Sequence, residues 1–268
     1  MATAVAVIWT GALVATLSGR TLTPQNPPAI GQDGKDVEWV PTPAELIDTM
    51  LTLADVTADD HLVDLGSGDG RTVIAAAERD AHALGVEYDA GLVALSQIRA
   101  DAAGVSDRTT FIEADLFEVD LTDATVITMF LLPDLNLRLR PTLLGLSPGT
   151  RIVSNTWDMG NWVADEIVQL DPCPGFCTAL LWIVPARIGG TWHDVGGELV
   201  LHQEFQMVSG TMQRDGRHID ITEGRLRGYD LMFRADGSQY NGRISADADT
   251  IRGTVTTEGR VVSWVATR

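Results

Sequence analysis

The chain has 268 residues, 45% of them apolar, and a formal net charge of −18 at pH 7. This composition is typical of a packed globular protein with room for one α/β domain and a smaller second module, and it excludes a disordered chain. Residues 1–190 hold 26 acidic and 10 basic residues, and residues 191–268 hold 11 and 9. So acidic a first part repels phosphate backbones, which argues against nucleic acid as a partner, and attracts a cationic substrate such as a lysine-bearing protein surface. Solubility or adaptation to salt is the alternative explanation.

The first segment, residues 1–19, is apolar and uncharged, and Arg20 follows it. Its length is at the lower limit for a bilayer-spanning helix, and a basic residue after it favours a cytoplasmic C-terminal side. We therefore expect a membrane anchor and a cytoplasmic catalytic domain. A cleaved signal, which usually has a positive n-region, and a trimmed longer membrane region are the alternatives. Residues 20–38, rich in Pro, Gly, Gln and Asp, predict a linker.

A helix is predicted to begin at Thr42-Pro43-Ala44-Glu45, which has the form of a capping box with proline at the first helical position. Apolar strands then alternate with helices, which predicts a parallel sheet with helices on both faces. A hairpin formed by 166–170 and 178–184 is expected to end the sheet. The predicted strands are 61–65, 83–88, 109–113, 124–131 and 150–156, and the predicted helices are 70–79, 90–103 and 134–146.

The pattern changes after Gly189 to short alternating strands separated by Gly, Asp and Ser turns. This predicts an all-β module, either a meander sheet or a small barrel, that covers the α/β domain or grips its substrate. We place the α/β domain at 39–187 and the β module at 188–268. The strands are predicted at 198–208, 218–221, 226–233, 243–244, 250–256 and 261–266.

The two cysteines, Cys173 and Cys177, lie four residues apart in the predicted hairpin turn. Because no second cysteine pair and no histidine cluster lie nearby, no metal site is predicted. The spacing is compatible with a small disulfide at the hairpin tip, but two free thiols are favoured for a cytosolic domain.

A glycine-rich loop, Gly66-Ser67-Gly68-Asp69-Gly70, joins the strand at 61–65 to the next helix. Glycines let the main chain turn sharply and let a ligand lie against its N–H groups. The spacing is G-x-G-x-G, whereas the dinucleotide-binding fingerprint is G-x-G-x-x-G. Asp64, two residues before the first glycine, suits a ligand that carries an ammonium group, which favours a methionine-type moiety over NAD.

Two more acids stand at the ends of the following predicted strands. Glu87 is placed to accept hydrogen bonds from ribose hydroxyls, and Asp115 to meet an adenine amino group, with Leu116 packing on the ring. Each acid alone is more often a surface carboxylate or a helix cap than a ligand contact. Three acids at the carboxyl ends of consecutive strands, with Asp64 as the first, favour one ligand site, because open α/β sheets bind ligands there.

Further stretches, at 40–43, 126–132 and 148–154, complete a resemblance that covers residues 37 to about 185. This part resembles the class I, seven-β-strand protein lysine methyltransferases, meaning the archaeal broad-specificity enzyme and the enzyme that modifies the mitochondrial ATP synthase c subunit. The resemblance implies a Rossmann-like seven-stranded sheet and S-adenosyl-L-methionine (SAM) as the methyl donor. The expected donor-binding residues are Asp64, Gly66, Gly68, Asp69, Gly70, Glu87, Asp115 and Leu116.

The resemblance also implies an acceptor channel between residues 39–42 and the loop at 130–134. We expect Trp39, Phe130, Trp157 and Trp162 to form an aromatic wall that favours a neutral amine, and Asp134 or Asp158 to attract the cation. The function predicted is methyl transfer to a protein lysine. The alternatives are a small-molecule thiol, amine or hydroxyl acceptor, or a donor-binding scaffold without turnover. The candidate acceptor residues are Trp39, Pro41, Thr42, Phe130, Asp134 and Trp157.

Overall fold

The computed structural model describes residues 40–173 and 175–268. The predicted anchor at 1–19, the linker at 20–38 and Trp39 lie outside the described residues, so they remain predictions. Within those two ranges, none of the helices combines the length and the apolar character needed to cross a bilayer.

The α/β part has one mixed sheet in the order β3-β2-β1-β4-β5-β7-β6. Strands β1 to β5 are parallel, β7 is antiparallel to β5, and β6 is antiparallel to β7. The predicted Rossmann-like seven-stranded sheet and its terminal hairpin are confirmed. The elements are α1 (Ala44–Leu53), β1 (His61–Leu65), α2 (Arg71–Ala77), β2 (His82–Glu87), α3 (Ala90–Ala103), β3 (Thr109–Glu113), β4 (Val126–Met129), α4 (Pro133–Leu143), β5 (Arg151–Asn155), β6 (Glu166–Gln169) and β7 (Thr178–Ile183).

Helices cover both faces of this sheet, as the alternation of patterns predicts. Leu46 of α1, Val73 of α2 and Val93 of α3 belong to one buried cluster on the first face. Leu139 of α4 and Trp182 of β7 belong to the cluster on the second face. Because both faces are buried, the carboxyl and amino edges of the parallel strands are the places where loops meet solvent.

The predicted capping box at the start of α1 is wrong. Pro43 occupies the N-cap position with ψ 142°, and no side chain caps the helix. The Thr42 hydroxyl instead accepts a hydrogen bond of 3.3 Å from Nδ2 of Asn155, and Glu45 is exposed. Since Asn155 ends β5, this contact holds residues 40–42 at the carboxyl edge of the sheet.

The C-terminal part is a closed antiparallel barrel in the order β10-β11-β12-β13-β14-β15-β8-β9. Pairing of Ala266 in the last strand with Asp194 in the first closes it. Buried side chains such as Trp192, Phe233 and Trp264 fill its interior, so of the two predicted architectures the barrel is correct. Its strands are β8 (Gly190–Asp194), β9 (Gly197–Glu204), β10 (Met207–Arg214), β11 (Arg217–Arg227), β12 (Asp230–Ala235), β13 (Ser238–Ile244), β14 (Thr250–Thr257) and β15 (Arg260–Thr267).

Two of the predicted barrel strands are wrong, because each spans a hairpin turn. The segment 198–208 divides at Phe205, whose φ is +51°, between β9 and β10. The segment 226–233 divides at Gly228 between β11 and β12. The remaining predicted segments lie within β11, β13, β14 and β15.

The barrel contacts the sheet at the amino edge of the parallel strands. Arg225 of β11 forms an ion pair of 2.6 Å with Asp165, whose other oxygen accepts a hydrogen bond from the Ile183 backbone N–H. Ile183 pairs with Arg151, the first residue of β5. The amino edge is opposite to the edge where the predicted ligand residues lie.

Candidate functional site

A cavity of about 940 Å³ opens at the carboxyl edge of the sheet, within the size range of small-molecule sites. Its lining comes from residues 40–42, the glycine loop after β1, the end of β2, the segments that follow β3 and β4, Trp157 and Phe176. In the described part of the chain, no lining residue belongs to the barrel. The expectation that the β module grips the substrate is therefore wrong for this cavity, because the barrel packs against the opposite edge.

Asp64 is the buried acid at the centre of the site, with 6% of its surface exposed. Burial raises its pKa to about 7; the negative charges of Glu87 and Asp69 act in the same direction, whereas hydrogen bonds from Thr128 and Thr72 oppose the shift. The Thr128 hydroxyl donates to Oδ1 of Asp64 over 2.7 Å. A carboxyl group surrounded by acids and hydroxyls is stabilised in its charged form by an incoming cation.

The N–H groups of the four residues Gly66, Ser67, Gly68 and Gly70 in the glycine loop are already used within the protein. Gly66 and Ser67 donate to the Val86 carbonyl, and Gly68 donates to Oε2 of Glu87 over 2.9 Å. Gly70 donates to the Ser67 carbonyl. The expectation that a ligand lies against these N–H groups is corrected, since the loop presents carboxylates to the cavity instead and so suits a cation better than an anion.

Two further acids that line the cavity are held by backbone N–H groups. Glu87 accepts from Gly68 and, through Oε1, from Asp89, so the carboxylate is fixed at the end of β2. Asp115 accepts from the Phe117 N–H over 2.9 Å and is exposed to solvent. A carboxylate has about four acceptor sites, so the bond from Phe117 leaves Asp115 with capacity for a ligand. Leu116 lies beside Asp115 in the lining, as expected.

Asp69 also lines the cavity, but it is neutralised by arginines. Burial works to raise its pKa, yet the hydrogen bonds and charges of Arg71 and Arg99 outweigh burial, so the pKa is lowered. Arg71 donates to Asp69 over 2.6 Å and, through a second nitrogen, to the Thr42 carbonyl over 3.1 Å. Asp69 therefore ties the glycine loop to residues 40–42.

Gly70, in contrast, lies outside the lining of the cavity. Its φ is +79° and it is the N-cap of α2. A Cβ there would come within 2.7 Å of Ser96 and 2.9 Å of Phe111. The expectation that Gly70 contacts the donor is corrected: it allows the helix to begin close to α3 and β3.

The aromatic end of the cavity contains Phe130 and Trp157, both of which we expected in the aromatic wall. Pro41 and Thr42 line the same cavity, as the resemblance implies. A third ring, Phe176, joins them and was not predicted. Since β7 is antiparallel to β5, the residues before β7 meet the carboxyl edge of the sheet. The predicted hairpin at 166–184 was the sequence feature that could have placed Phe176 at this edge of the sheet.

Three other candidates do not line the cavity. Trp162 is fully buried and contacts Trp182, so it belongs to the core. Asp134 is exposed near the start of α4. Asp158 is also exposed, and its carboxylate accepts from the Gly160 N–H. Both acids are therefore absent from the wall where we expected them to attract the cation.

The hairpin turn before β7 is closed by a disulfide between Cys173 and Cys177, whose Cα atoms are 5.7 Å apart. The favoured expectation of free thiols is therefore wrong. Among the residues that the structure describes, no cluster of three or more His, Cys, Asp or Glu side chains is suited to a metal ion.

Comparison with known proteins points to methyltransferases. The ANTKMT methyltransferase domain family matches residues 64–166. A protein-lysine N-methyltransferase of Saccharolobus islandicus is 36% identical over 151 residues, which cover 55% of this chain and 94% of the relative. The adenine nucleotide translocase lysine N-methyltransferase of Mus musculus is 36% identical over 109 residues, and the match spans 40% of this chain and about half, 48%, of that protein.

A solved structure is similar over almost its whole length. An RNA methyltransferase from Salinibacter ruber in complex with S-adenosyl-L-homocysteine is 47% identical, with a TM-score of 0.53. The match covers 56% of this chain and 96% of that chain.

Proposed function

Since the chain belongs to the protein-lysine N-methyltransferase family of SAM-dependent methyltransferases, we propose that it methylates the ε-amino group of a protein lysine. One observation carries the proposal: a single cavity joins an acid-lined end to an aromatic end. The acid-lined end suits the methyl donor, and the aromatic end suits an aliphatic amine.

The buried carboxyl group of Asp64 shows that the site suits a donor with a cationic amino group. Its pKa of about 7 reflects burial among other acids, and within the described ranges no ion pair involves Asp64. The amino group of SAM is a cation of the kind that would stabilise this carboxylate. The donor therefore fits the residues that are present.

We assign donor contacts by the chemistry of each side chain. Asp64 would hold the ammonium group of the methionine moiety, and Glu87 would accept from the ribose hydroxyls. Asp115 would accept from the adenine amino group, with Leu116 against the ring. The backbone bonds that fix Glu87 and Asp115 pre-orient their carboxylates, which lowers the entropy lost on binding.

At the aromatic end, the protein must bind a lysine and favour its neutral form. The rings of Phe130 and Trp157 attract the ammonium on approach, and removal from water then lowers the amine pKa from its usual value near 10.4. When bound, the donor supplies an electrophilic methyl group: the nitrogen lone pair forms the N–C bond as the C–S bond breaks, and sulfur keeps that electron pair. The ammonium proton leaves to solvent before this step.

Charge supports a protein acceptor over a nucleic acid. The S. ruber relative is an RNA methyltransferase, but residues 1–190 of this chain carry 26 acidic against 10 basic residues. Proteins that bind phosphate backbones do so largely through Lys and Arg. An acidic surface favours the approach of a lysine-rich protein segment.

The test is incubation of the purified protein with methyl-labelled SAM and a cell lysate, treated in parallel with protease or with ribonuclease. Asp64→Asn serves as the control that lacks the donor-binding charge. We expect label in protein bands, as methyl-lysine after hydrolysis, and no label with the variant. Three outcomes would contradict the proposal. Label confined to low-mass products would support a small-molecule acceptor, and label lost with ribonuclease would support RNA. Donor binding without methyl transfer would support a scaffold without turnover.

A further inference from the structure

We propose that Phe176, presented by the loop that the Cys173–Cys177 disulfide closes, is the specificity-determining wall of the acceptor channel and selects a cationic amine. This inference rests on the proposed function, because it names the residue that recognises the lysine side chain. Phe176 lies in a turn that the resemblance does not include among acceptor residues.

Phe176 is the ring that connects the other two. Its centroid is 5.4 Å from that of Phe130 and 6.3 Å from that of Trp157, with an interplanar angle of 57° in both pairs. All three residues line the cavity, and Phe176 keeps 43% of its surface exposed. The three rings therefore form one aromatic group at this end of the cavity, and aromatic rings attract cations.

The loop holds Phe176 in a conformation that a phenylalanine rarely adopts. Its φ is +50°, in the left-handed region. The disulfide joins the residues on either side, and the Leu170 N–H donates to the Cys177 carbonyl over 3.0 Å. Strained backbone that persists because its surroundings enforce it is concentrated at ligand-binding sites. The cross-link therefore explains how an exposed aromatic ring stays at the channel.

Trp157, the second ring that Phe176 contacts, is also held in place by hydrogen bonds to its backbone. The Ser154 hydroxyl and the Asn136 amide donate to its carbonyl over 2.7 and 3.1 Å. Thr156, with φ +63°, donates its N–H to the Thr178 carbonyl over 2.7 Å. This last bond joins the Trp157 loop to the end of the disulfide loop, so the two rings are positioned as one unit.

Chemistry then indicates which acceptor this wall selects. Aromatic faces are negative and attract ammonium groups, whereas they repel carboxylates and phosphates. They also pack against the methylene chain of a lysine. A thiol or alcohol acceptor would gain only the packing, so the wall discriminates in favour of an amine on an aliphatic chain.

The experiment measures methyl transfer to a short synthetic peptide with one central lysine, together with the Kd for S-adenosylhomocysteine by calorimetry. We expect Phe176→Ala to raise the KM for the peptide about tenfold, to change kcat less than about twofold, and to leave the donor-site Kd unchanged. Phe176→Leu, which keeps apolar volume without the ring, should resemble Phe176→Ala, and Phe176→Tyr should restore KM. Phe205→Leu, which removes a ring at the barrel turn, is the matched control and should leave KM unchanged.

The disulfide is tested in the same assay. Replacing both Cys173 and Cys177 with serine should raise KM in the same way as Phe176→Ala, and a reductant should do so in the wild type but not in this double variant. Equal KM values for the wild type, Phe176→Ala and Phe176→Leu, with the peptide methylated by all three, overturn this inference alone. Failure of the wild type to methylate any lysine acceptor while it binds S-adenosylhomocysteine overturns the proposed function, and the inference with it.

Discussion

Two buried aspartates, one in each part of the molecule, show what separates a binding site from a scaffold. Asp194 of the barrel is paired with Arg214 over 2.5 Å and accepts from Nε1 of Trp264 over 2.8 Å. Asp64 of the sheet has neighbouring acids and hydroxyls, and its pKa is raised to about 7 by burial. The barrel supplies the counter-charge for Asp194, whereas we propose that the ammonium group of a ligand supplies the counter-charge for Asp64.

The same contrast holds for the backbone of the two parts. The barrel closes on itself, so its strands leave no free sheet edge, and buried side chains fill its interior. The parallel sheet ends in loops whose side chains converge at one edge. We therefore expect substitutions in the barrel to change stability and substitutions at the sheet edge to change binding.

The largest effect should come from the acid of the barrel. Asp194→Ala leaves Arg214 without its partner and removes the acceptor for Trp264, which should lower the free energy of unfolding by about 3 kcal/mol. Denaturant unfolding measures this loss. Calorimetry at a temperature where the variant is folded should give an unchanged Kd for S-adenosylhomocysteine; a weakened Kd would contradict the division between the two parts.

Substitution of Asp64, the acid of the sheet, should weaken ligand binding without lowering stability, which is the opposite of the result expected for the barrel. Asp64→Asn keeps the size of the side chain but removes the charge that pairs with the ligand ammonium, so the Kd should rise about 100-fold or more. At pH 8 the variant should be at least as stable as the wild type, because it no longer buries an ionised carboxylate. A Kd within tenfold of the wild type would show that Asp64 does not bind the donor.

Much of this site is predictable because its parts follow strand order. Asp64, Glu87 and Asp115 each stand at or just after the end of a parallel strand, and parallel strands bring such positions to one edge. The use of the loop N–H groups is not predictable, because it depends on the Val86 carbonyl and the Glu87 carboxylate of the neighbouring strand.

The acceptor end is harder to predict because it depends on long-range packing. Trp157 and Trp162 are five residues apart, yet one lines the cavity and the other is buried against Trp182. Phe176 reaches the cavity only because β7 lies next to β5 in the sheet. No local pattern distinguishes these cases.

In the barrel, strand boundaries fail for a local reason. The turn between β9 and β10 is made by Phe205 at φ +51°, without the glycine, asparagine or proline that usually marks a turn. The long β11 also contains a register shift between Thr222 and Arg225. Tertiary pairing around the closed barrel overrides the weak turn signals.

A smaller effect, on pH dependence, follows from the raised pKa of Asp64. If the ligand ammonium binds only the ionised carboxyl group, a pKa of about 7 makes the Kd for S-adenosylhomocysteine rise about eightfold from pH 7.5 to pH 6. Stability has the opposite slope: between about pH 4 and pH 7 the folded protein keeps a proton on Asp64 that the unfolded chain loses, so this group makes the free protein less stable as pH rises. Asp64→Asn should lose this pH dependence of the Kd and this group's contribution to the slope of stability, and a Kd independent of pH in the wild type would contradict the assignment.

The smallest effect compares two phenylalanines that share the left-handed conformation, Phe176 at φ +50° and Phe205 at φ +51°. Glycine relieves the backbone strain at either position, a gain of about 1 kcal/mol. Phe205 also stacks on Trp162, with ring centroids 6.0 Å apart, so Phe205→Gly should lose more packing than it gains and be less stable than the wild type. Phe176→Gly should match or slightly exceed the wild-type Tm, because the exposed ring contributes to the acceptor channel more than to the fold. A clear loss of Tm in Phe176→Gly would show that the ring stabilises the loop, and its strained backbone would then need no ligand to explain it.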